Sequence, residues 1–271
     1  MFFEEHSWGW DLLGYVQQGE RLRDYGQVTF FNKTAVDQDN VSQFLINTLS
    51  PPVPCVVDAL FVMGIAMKYP SPPLPKSNNT GVVVAPSGYT IQKVADGGVG
   101  TDVSGLQGVC GITVLTHIVT STSEANSTVP TALTGCFNGT ANMFQYRKNR
   151  DFWEITAISG RQDIPGVNWS CTMDEAMHFQ PGDMIFAASA KNATTGLASA
   201  ESITAAGITF NPQTERNESF NARVGGIYSD HVVTAGNATV VPTYTMLFSG
   251  SGAGNLEGAT ILLRLRCFSF V

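Results

Sequence analysis

Between residues 171 and 190 the chain reads CTMDEAMHFQPGDMIFAASA, which brings together a thiol (Cys171), two adjacent carboxylates (Asp174, Glu175) and an imidazole (His178). These are the side chains of a metal centre or an acid–base pair. A catalytic zinc takes about three protein ligands. Asp174 and His178, four residues apart, converge on one ion only if they stand on a helix. Pro181 and Gly182 leave barely a turn for a helix, and His6, His117 and His231 are remote in sequence. The His-x-His pair and later glutamate of a cupin-type site are also missing. The alternative has its own mechanism. Pro181 sets φ and Gly182 accepts a positive one, so FQPGD makes a tight turn from which Met184 to Ala190 enters a sheet. The stretch is therefore expected to be a turn that launches a strand, with no metal bound.

Other candidate chemistry weighs less. The chain has no G-x-S-x-G, no H-E-x-x-H and no phosphate-cradling G-x-x-x-x-G-K. Cys110 and His117 fall in one expected strand at an odd spacing, which sends them to opposite faces. DGGVGTDVSG (96–105) matches a calcium-binding nonapeptide at Gly97, Gly98, Gly100 and Asp102, but Ser104 replaces the expected apolar residue. Such sites form between stacked repeats, and only one copy is present, so a glycine loop is expected. Trp8, Trp10, Trp153 and Trp169 could stack on sugars, but their large apolar surfaces favour a core role. No catalytic residue, cofactor or metal is expected, and the chain does not read as an enzyme.

The net charge of −7 disfavours nucleic-acid binding, which needs clustered Lys and Arg to neutralise phosphates. The one basic knot, Arg147, Lys148 and Arg150, is expected to be a solvated loop. Charged residues make up only 14% of the chain, against roughly 25% in ordinary soluble domains. That deficit suits an all-β protein or a subunit covered by its neighbours, because interface cores are depleted in charge. Cys55, Cys110, Cys136, Cys171 and Cys267 are widely spaced and odd in number, which makes buried free thiols the expectation. MFFEEHSWGWDLL lacks the positive n-region of a signal peptide. The apolar run 55–69 contains Asp58 and is too short for a membrane helix, which needs about 18 residues. Neither a signal peptide nor a membrane span is expected.

Helical spacing recurs at Trp8, Leu12, Tyr15 and Val16 and again at Val41, Phe44, Leu45 and Leu49, before Ser50-Pro51-Pro52. Residues 70–88 are dense in Pro, Ser, Asn and Gly, with one short strand expected at Val82 to Val84. This predicts an N-terminal arm, 1–85, with short helices and a Pro-rich connection, followed by a β domain, 86–271. In the latter GYTIQKV, CGITVLTHIVTS, MFQY, FWEITAI, DMIFAAS, GITF, TVVPTYTMLF and ATILLRLRCFSF read as strands between turn residues. In the last, Ile261, Leu263, Leu265 and Cys267 alternate with Leu262, Arg264, Arg266 and Phe268, the period of a strand buried on one face. The expected fold class is all-β, a jelly roll or β-sandwich of about 8–10 strands.

The acceptor pattern N-x-[ST] occurs at Asn32, Asn40, Asn78, Asn126, Asn138, Asn168, Asn192, Asn217 and Asn237. With 16 Asn and 46 Ser plus Thr in 271 residues, chance gives 16 × 46/271, or about three. The nine positions are candidate glycosylation sites. The competing source of the excess is polar turns, where Asn and hydroxyl side chains bond nearby backbone.

FQPGDMIFAASA together with the terminal GATILLRLRCFSFV resembles the strand-leading turn and closing strand of jelly-roll modules. These occur in trimeric TNF/C1q-like heads and in virus and bacteriophage capsid or capsid-surface proteins. The resemblance covers the last 180 residues or so and transfers no functional residue. It implies self-association, often threefold, with few charges at the contacts. The expected function is thus a structural subunit of a virion or similar assembly: capsid shell, decoration or fibre protein. Its partners would be copies of itself, as a trimer or larger assembly, and other virion proteins, and its location virion or extracellular. Two alternatives are a β-sandwich module that binds a receptor or glycan, and a secreted glycoprotein of an extracellular appendage. A hydrolase or metal enzyme on a jelly roll is the reading from a third class.

Overall fold

A computed structural model describes residues 22–38, 49–69, 85–98, 110–126, 138–166, 168–192, 197–220, 224–249 and 256–271. The described residues form strands and turns, with no helix among them. In chain order the strands begin with β1 (Arg23–Tyr25), β2 (Val28–Gln38), β3 (Leu60–Lys68), β4 (Thr90–Gly97), β5 (Cys110–Ile118) and β6 (Asn138–Lys148). There follow β7 (Phe152–Gly166), β8 (Trp169–Thr172), β9 (Met177–Phe179), β10 (Met184–Lys191), β11 (Leu197–Thr204) and β12 (Thr209–Phe210). The last are β13 (Thr214–Phe220), β14 (Gly225–Ala235), β15 (Ala238–Val240), β16 (Thr243–Ser249) and β17 (Leu256–Phe270).

All pairings are antiparallel, and one of the sheets curls into a half-barrel. One sheet has the order β2-β6-β3-β5-β4. A second centres on β17-β10-β14, with β7 on the outer side of β17, β1 beyond the end of β10 on the other side, and β12 and β13 both on the far side of β14. Leu60, Val62, Ile112, Phe144 and Tyr146 of the first sheet meet Phe186, Tyr228, Ile261, Leu263 and Leu265 of the second in one core. The rings of Phe144, Phe186 and Tyr228 lie 5.1–6.0 Å apart, the tilted and stacked contacts that aromatic quadrupoles favour.

The second sheet is covered again on its other face. There Ile185, Ala187, Ile227 and Leu262 pack against Trp169, Phe179, Ile203, Tyr244 and Met246 of a third layer, made by β11-β16-β8 and the pair β15-β9. This is why all eight residues of β10 are buried. The first sheet carries a cover of its own, where Leu49, Cys55 and Ala59 lie over Phe61, Met63, Leu115 and Met143. Strands buried on both faces read as continuous apolar runs rather than alternating ones.

Several expectations change here. Each of the eight strand-like segments in 86–271 contributes to a strand, and the all-β class holds, whereas jelly-roll connectivity does not follow from these pairings. The alternate face of β17 is not solvent-facing: Arg264 and Arg266 are both buried, because the third layer and β7 close over them. The stretch 55–69 supplies β3, which pairs with both β5 and β6, and β2 pairs with β6. Residues 23–38 and 60–68 are thus sheet partners of strands beyond 110, and no sheet boundary falls at residue 85. The expected helical spacing at 8–16, Val41, Phe44 and Leu45 of the second one and the short strand at Val82 to Val84 lie outside the described residues; Leu49, the last of the second set, is described and buried in the cover of the first sheet.

Candidate interaction surface

The turn at Pro181-Gly182 has Gly182 at φ +93 and leads into β10. Around it the three chemically suggestive side chains separate. Asp174 is exposed, Glu175 pairs with Lys93 at 2.7 Å, and Nδ1 of His178 lies 3.3 Å from the Thr239 hydroxyl. Among the described residues no group of three or more His, Cys, Asp or Glu is placed to hold a metal ion. Cys171 is buried, and burial pushes its thiol up to about 12. Cys55, Cys110 and Cys267 are likewise buried thiols; Cys136 lies outside the described residues. Cys110 and His117 face different cores, the imidazole stacking on Tyr89.

The residue of that stretch with the largest structural role is Asp183, which turn chemistry alone does not single out. It is 1% exposed and accepts two hydrogen bonds from Arg266, Nε to Oδ1 at 2.6 Å and Nη2 to Oδ2 at 2.7 Å. Its Oδ2 also accepts the Gln180 amide at 2.9 Å, closing the turn. Glu154, opposite Arg266 on β7, accepts from Arg264 at 2.5 Å, from Arg266 at 3.2 Å and from Arg23 at 2.8 Å. Three guanidinium groups thus share two carboxylates. The excess positive charge is turned onto rings: Arg23 stands 4.5 Å from the Phe268 centroid and Arg266 5.1 Å from that of Tyr25.

Those rings begin the candidate surface. Along β17 one face runs Leu262, Arg264, Arg266, Phe268 and Phe270, and its cover is lost at the end of the strand. Leu262 lies under the third layer, the arginines under their ion pairs, and Phe270 is 42% exposed. Phe268 is paired across the strands with Tyr25 of β1 on one side and Phe152 of β7 on the other. Phe152, Phe268 and Phe270 lie 5.3–5.5 Å apart, and Tyr25 is 6.2 Å from Phe268. Leu22 and Val271 complete the patch, joined by a backbone hydrogen bond of 3.0 Å. Phe152 is 47% and Val271 82% exposed. A cross-strand aromatic ladder normally stabilises a sheet by covering itself; this one ends in open solvent. Its sequence signal is FSFV at the terminus and NRDFW at 149–153, whose rings meet only after strand pairing.

Two further polar clusters line β14, where Ser229 and His231 project to one face and Asp230 to the other. Asp230 accepts the Tyr146 hydroxyl at 2.7 Å and Nε of Arg216 at 2.5 Å. On the opposite face Glu201 accepts both Ser229 Oγ and Tyr244 OH, while His231 Nε2 lies 3.2 Å from Ser229 Oγ. These are the residue types of a nucleophilic triad, but the order of the bonds is wrong for one. The serine proton goes to the carboxylate, so the ring must donate to Ser229 rather than accept from it. Ser229 is also fully buried. The cluster ties β11, β14 and β16 together.

Burial alone lowers His231 to about 4. The folded protein therefore holds the ring neutral while the unfolded chain takes up a proton near the ordinary value. Stability contributed by neutral His231 is present above about pH 6.5 and is lost as pH falls towards 4. Compared with a His231→Gln variant, the native protein is expected to lose about 3 kcal/mol over that interval. Urea titrations of both proteins at several pH values check this; a constant difference would reject it. Glu218, raised to about 7 by burial, acts in the opposite sense, because its ionisation costs stability as pH rises through that value.

The candidate acceptor asparagines divide by environment. Asn126, Asn168 and Asn237 are exposed. Asn192 and Asn217 spend their amide nitrogens on Glu257 and Asn142, both at 2.6 Å, and Asn32 accepts the Gln145 amide at 2.6 Å. Asn138 lies at the start of β6, and Asn40 and Asn78 lie outside the described residues. Trp169 is buried in the core, Trp153 is half-buried and donates to the Asp58 carbonyl at 3.0 Å, and Trp8 and Trp10 lie outside the described residues. Comparisons with family models, with curated proteins and with solved structures find no match to this chain.

Proposed function

We propose that the chain is a structural subunit of a virion or comparable assembly, as capsid shell, decoration or fibre, acting by self-association rather than by chemistry on a substrate. One observation carries the proposal: the exposed end of the aromatic ladder, Phe152, Phe270 and Tyr25 with Leu22 and Val271, at the edge of a sheet otherwise covered on both faces. Exposed apolar groups that are contiguous rather than scattered mark interaction sites, and the low charge of the whole chain suits a surface met by neighbours. The partner that fits is a second copy presenting the same patch. Two packed sheets, with the first described strand paired to the last, support reading the connectivity as a jelly-roll variant.

The test is the mass of the native protein in solution as a function of concentration. A closed oligomer is expected, and a Phe152→Ser/Phe270→Ser double variant should shift its dissociation to concentrations at least about tenfold higher, the equivalent of losing one buried aromatic contact. Both sites are already half-exposed in the single chain, so the variant is expected to fold. A native protein that stays monomeric at the highest attainable concentration would overturn the proposal.

A further inference from the structure

Gln145 and Arg147 stand two residues apart on β6, on the outer face of the first sheet. Gln145 fastens the covering segment: its Oε1 accepts the Val56 amide at 2.8 Å, and its Nε2 donates to the Pro54 carbonyl at 2.9 Å. The segment then turns at Asp58, which adopts φ +65, a left-handed conformation uncommon for a residue other than glycine. That conformation is held from both sides, the Asp58 amide donating to the Val119 carbonyl at 2.9 Å and its carbonyl accepting Nε1 of Trp153 at 3.0 Å. Backbone strain of this kind costs about 1–3 kcal/mol and persists where its surroundings over-determine it, often at binding sites. Between this turn and the end of β6 lies a cleft of about 320 Å³, lined by residues 56–59 and by Arg147, Lys148, Arg150 and Asp151.

The cations of the cleft differ in how they are satisfied. Lys148 donates to the Asp151 carbonyl, and Arg150 pairs with Asp24 at 2.9 Å. Arg147 has no carboxylate and no hydrogen-bond acceptor among the described residues. Its Nε is buried without a partner, and its guanidinium carbon stands over the Phe31 ring, 3.2 Å from the centroid. The ring holds the group in place through its face and leaves the fork's donors unused. An oriented guanidinium with free donors matches a carboxylate, which it binds through two parallel N–H···O bonds. Arg147 is thus the cation of the cleft whose charge no described carboxylate meets, in a chain whose own charge is −7.

We infer that this cleft binds a small oxyanion, with Arg147 as the anchoring residue. The ligand class is a carboxylate borne on a body of about monosaccharide size, since the volume falls at the lower end of ligand pockets, about 300–1,000 Å³. The basic knot expected from sequence to be a solvated loop is in this view a receptor for an acidic group. The inference stands apart from self-association, because the cleft and the aromatic ladder use different residues.

The experiment is titration of the folded protein with sodium glucuronate, sodium acetate and glucose at low ionic strength, followed by amide chemical shifts. Saturable binding of glucuronate is expected, with shifts at residues 56–59 and 147–151 and none with glucose. Acetate that binds as well as glucuronate would identify the bare carboxylate as the ligand; tighter glucuronate would identify the sugar-borne one. Arg147→Gln should weaken binding at least about tenfold, as expected on losing a charge-assisted bidentate pair. Asp58→Asn should strengthen it by removing a repelling charge. Because Arg147 makes no hydrogen bond among the described residues and only contacts the Phe31 ring, a contact worth about 0.5–2 kcal/mol, Arg147→Gln should stay folded and melt within several degrees of the native protein, which separates loss of binding from loss of fold. No saturable binding of either anion, or binding that survives Arg147→Gln, would overturn the inference.

Discussion

Replacing Asp183 by alanine is expected to destabilise the protein by about 3–5 kcal/mol, the cost of leaving a buried partner charge uncompensated. The magnitude follows from where the charge would be left. Arg266 is 4% exposed, lies beside Arg264, and would keep only a share of Glu154 at 3.2 Å. The same change removes the acceptor of the Gln180 amide, so the turn before β10 loosens as well. Replacing both ends of the pair, Asp183→Leu with Arg266→Met, is expected to recover much of the loss, because well-packed apolar groups commonly match or exceed a buried ion pair. Urea denaturation of the single and double variants checks both statements. A fall in the midpoint at constant slope is the expected result, and a single variant within about 1 kcal/mol of the native protein would mean that water reaches Arg266.

The second large effect is steric. The end of β4 meets the start of β17 at Gly97 and Gly258, where the two sheets come together without side chains between them. A Cβ on Gly97 would stand 1.8 Å from the Gly258 carbonyl oxygen and 2.4 Å from its carbon. A Cβ on Gly258 would stand 2.0 Å from the Ala190 carbonyl oxygen and 2.7 Å from the Cys110 sulfur, and its φ of +148 is itself strained for any residue with a Cβ. The neighbours are mostly backbone in paired strands, which cannot move aside as a side-chain tip would. Gly97→Ala is expected to cost about 3 kcal/mol, the upper range of overpacking, and Gly258→Ala more than about 4 kcal/mol. For a domain of this size that corresponds to a fall of roughly 10 °C or more in melting temperature. Thermal unfolding followed by circular dichroism measures it, and an unchanged Tm for Gly258→Ala would show that the two sheets part easily at this corner.

How much of this was legible in the sequence depended on whether a strand's surroundings lay close by in the chain. β10 and β17 could be located, since apolar runs bounded by PGD, Gly and Asn carry a local signal. What covers the second face of β17 could not, because the third layer comes from β8, β9, β11, β15 and β16, and Arg264 and Arg266 looked like a solvated face. β14 was hidden for a related reason: Ser229-Asp230-His231 interrupts its apolar pattern, and only partners on other strands, Glu201, Tyr146 and Arg216, make those polar groups affordable inside. Of the candidate sites, the PGD turn was readable from Pro and Gly alone. The cleft at Arg147 was not, since its walls come from stretches some ninety residues apart, tied by Gln145 and Trp153.

The hydrogen bond between Val271 and Leu22 has a practical corollary for anyone handling the protein. Anything joined after residue 271 departs from the corner of the body that holds Phe270 and Phe152. A purification tag joined there would crowd the same aromatic patch, so its own bulk could be mistaken for a change in assembly. The turn at Ala206-Gly207, exposed and with open space around Gly207, offers an insertion point for a label in a different part of the molecule.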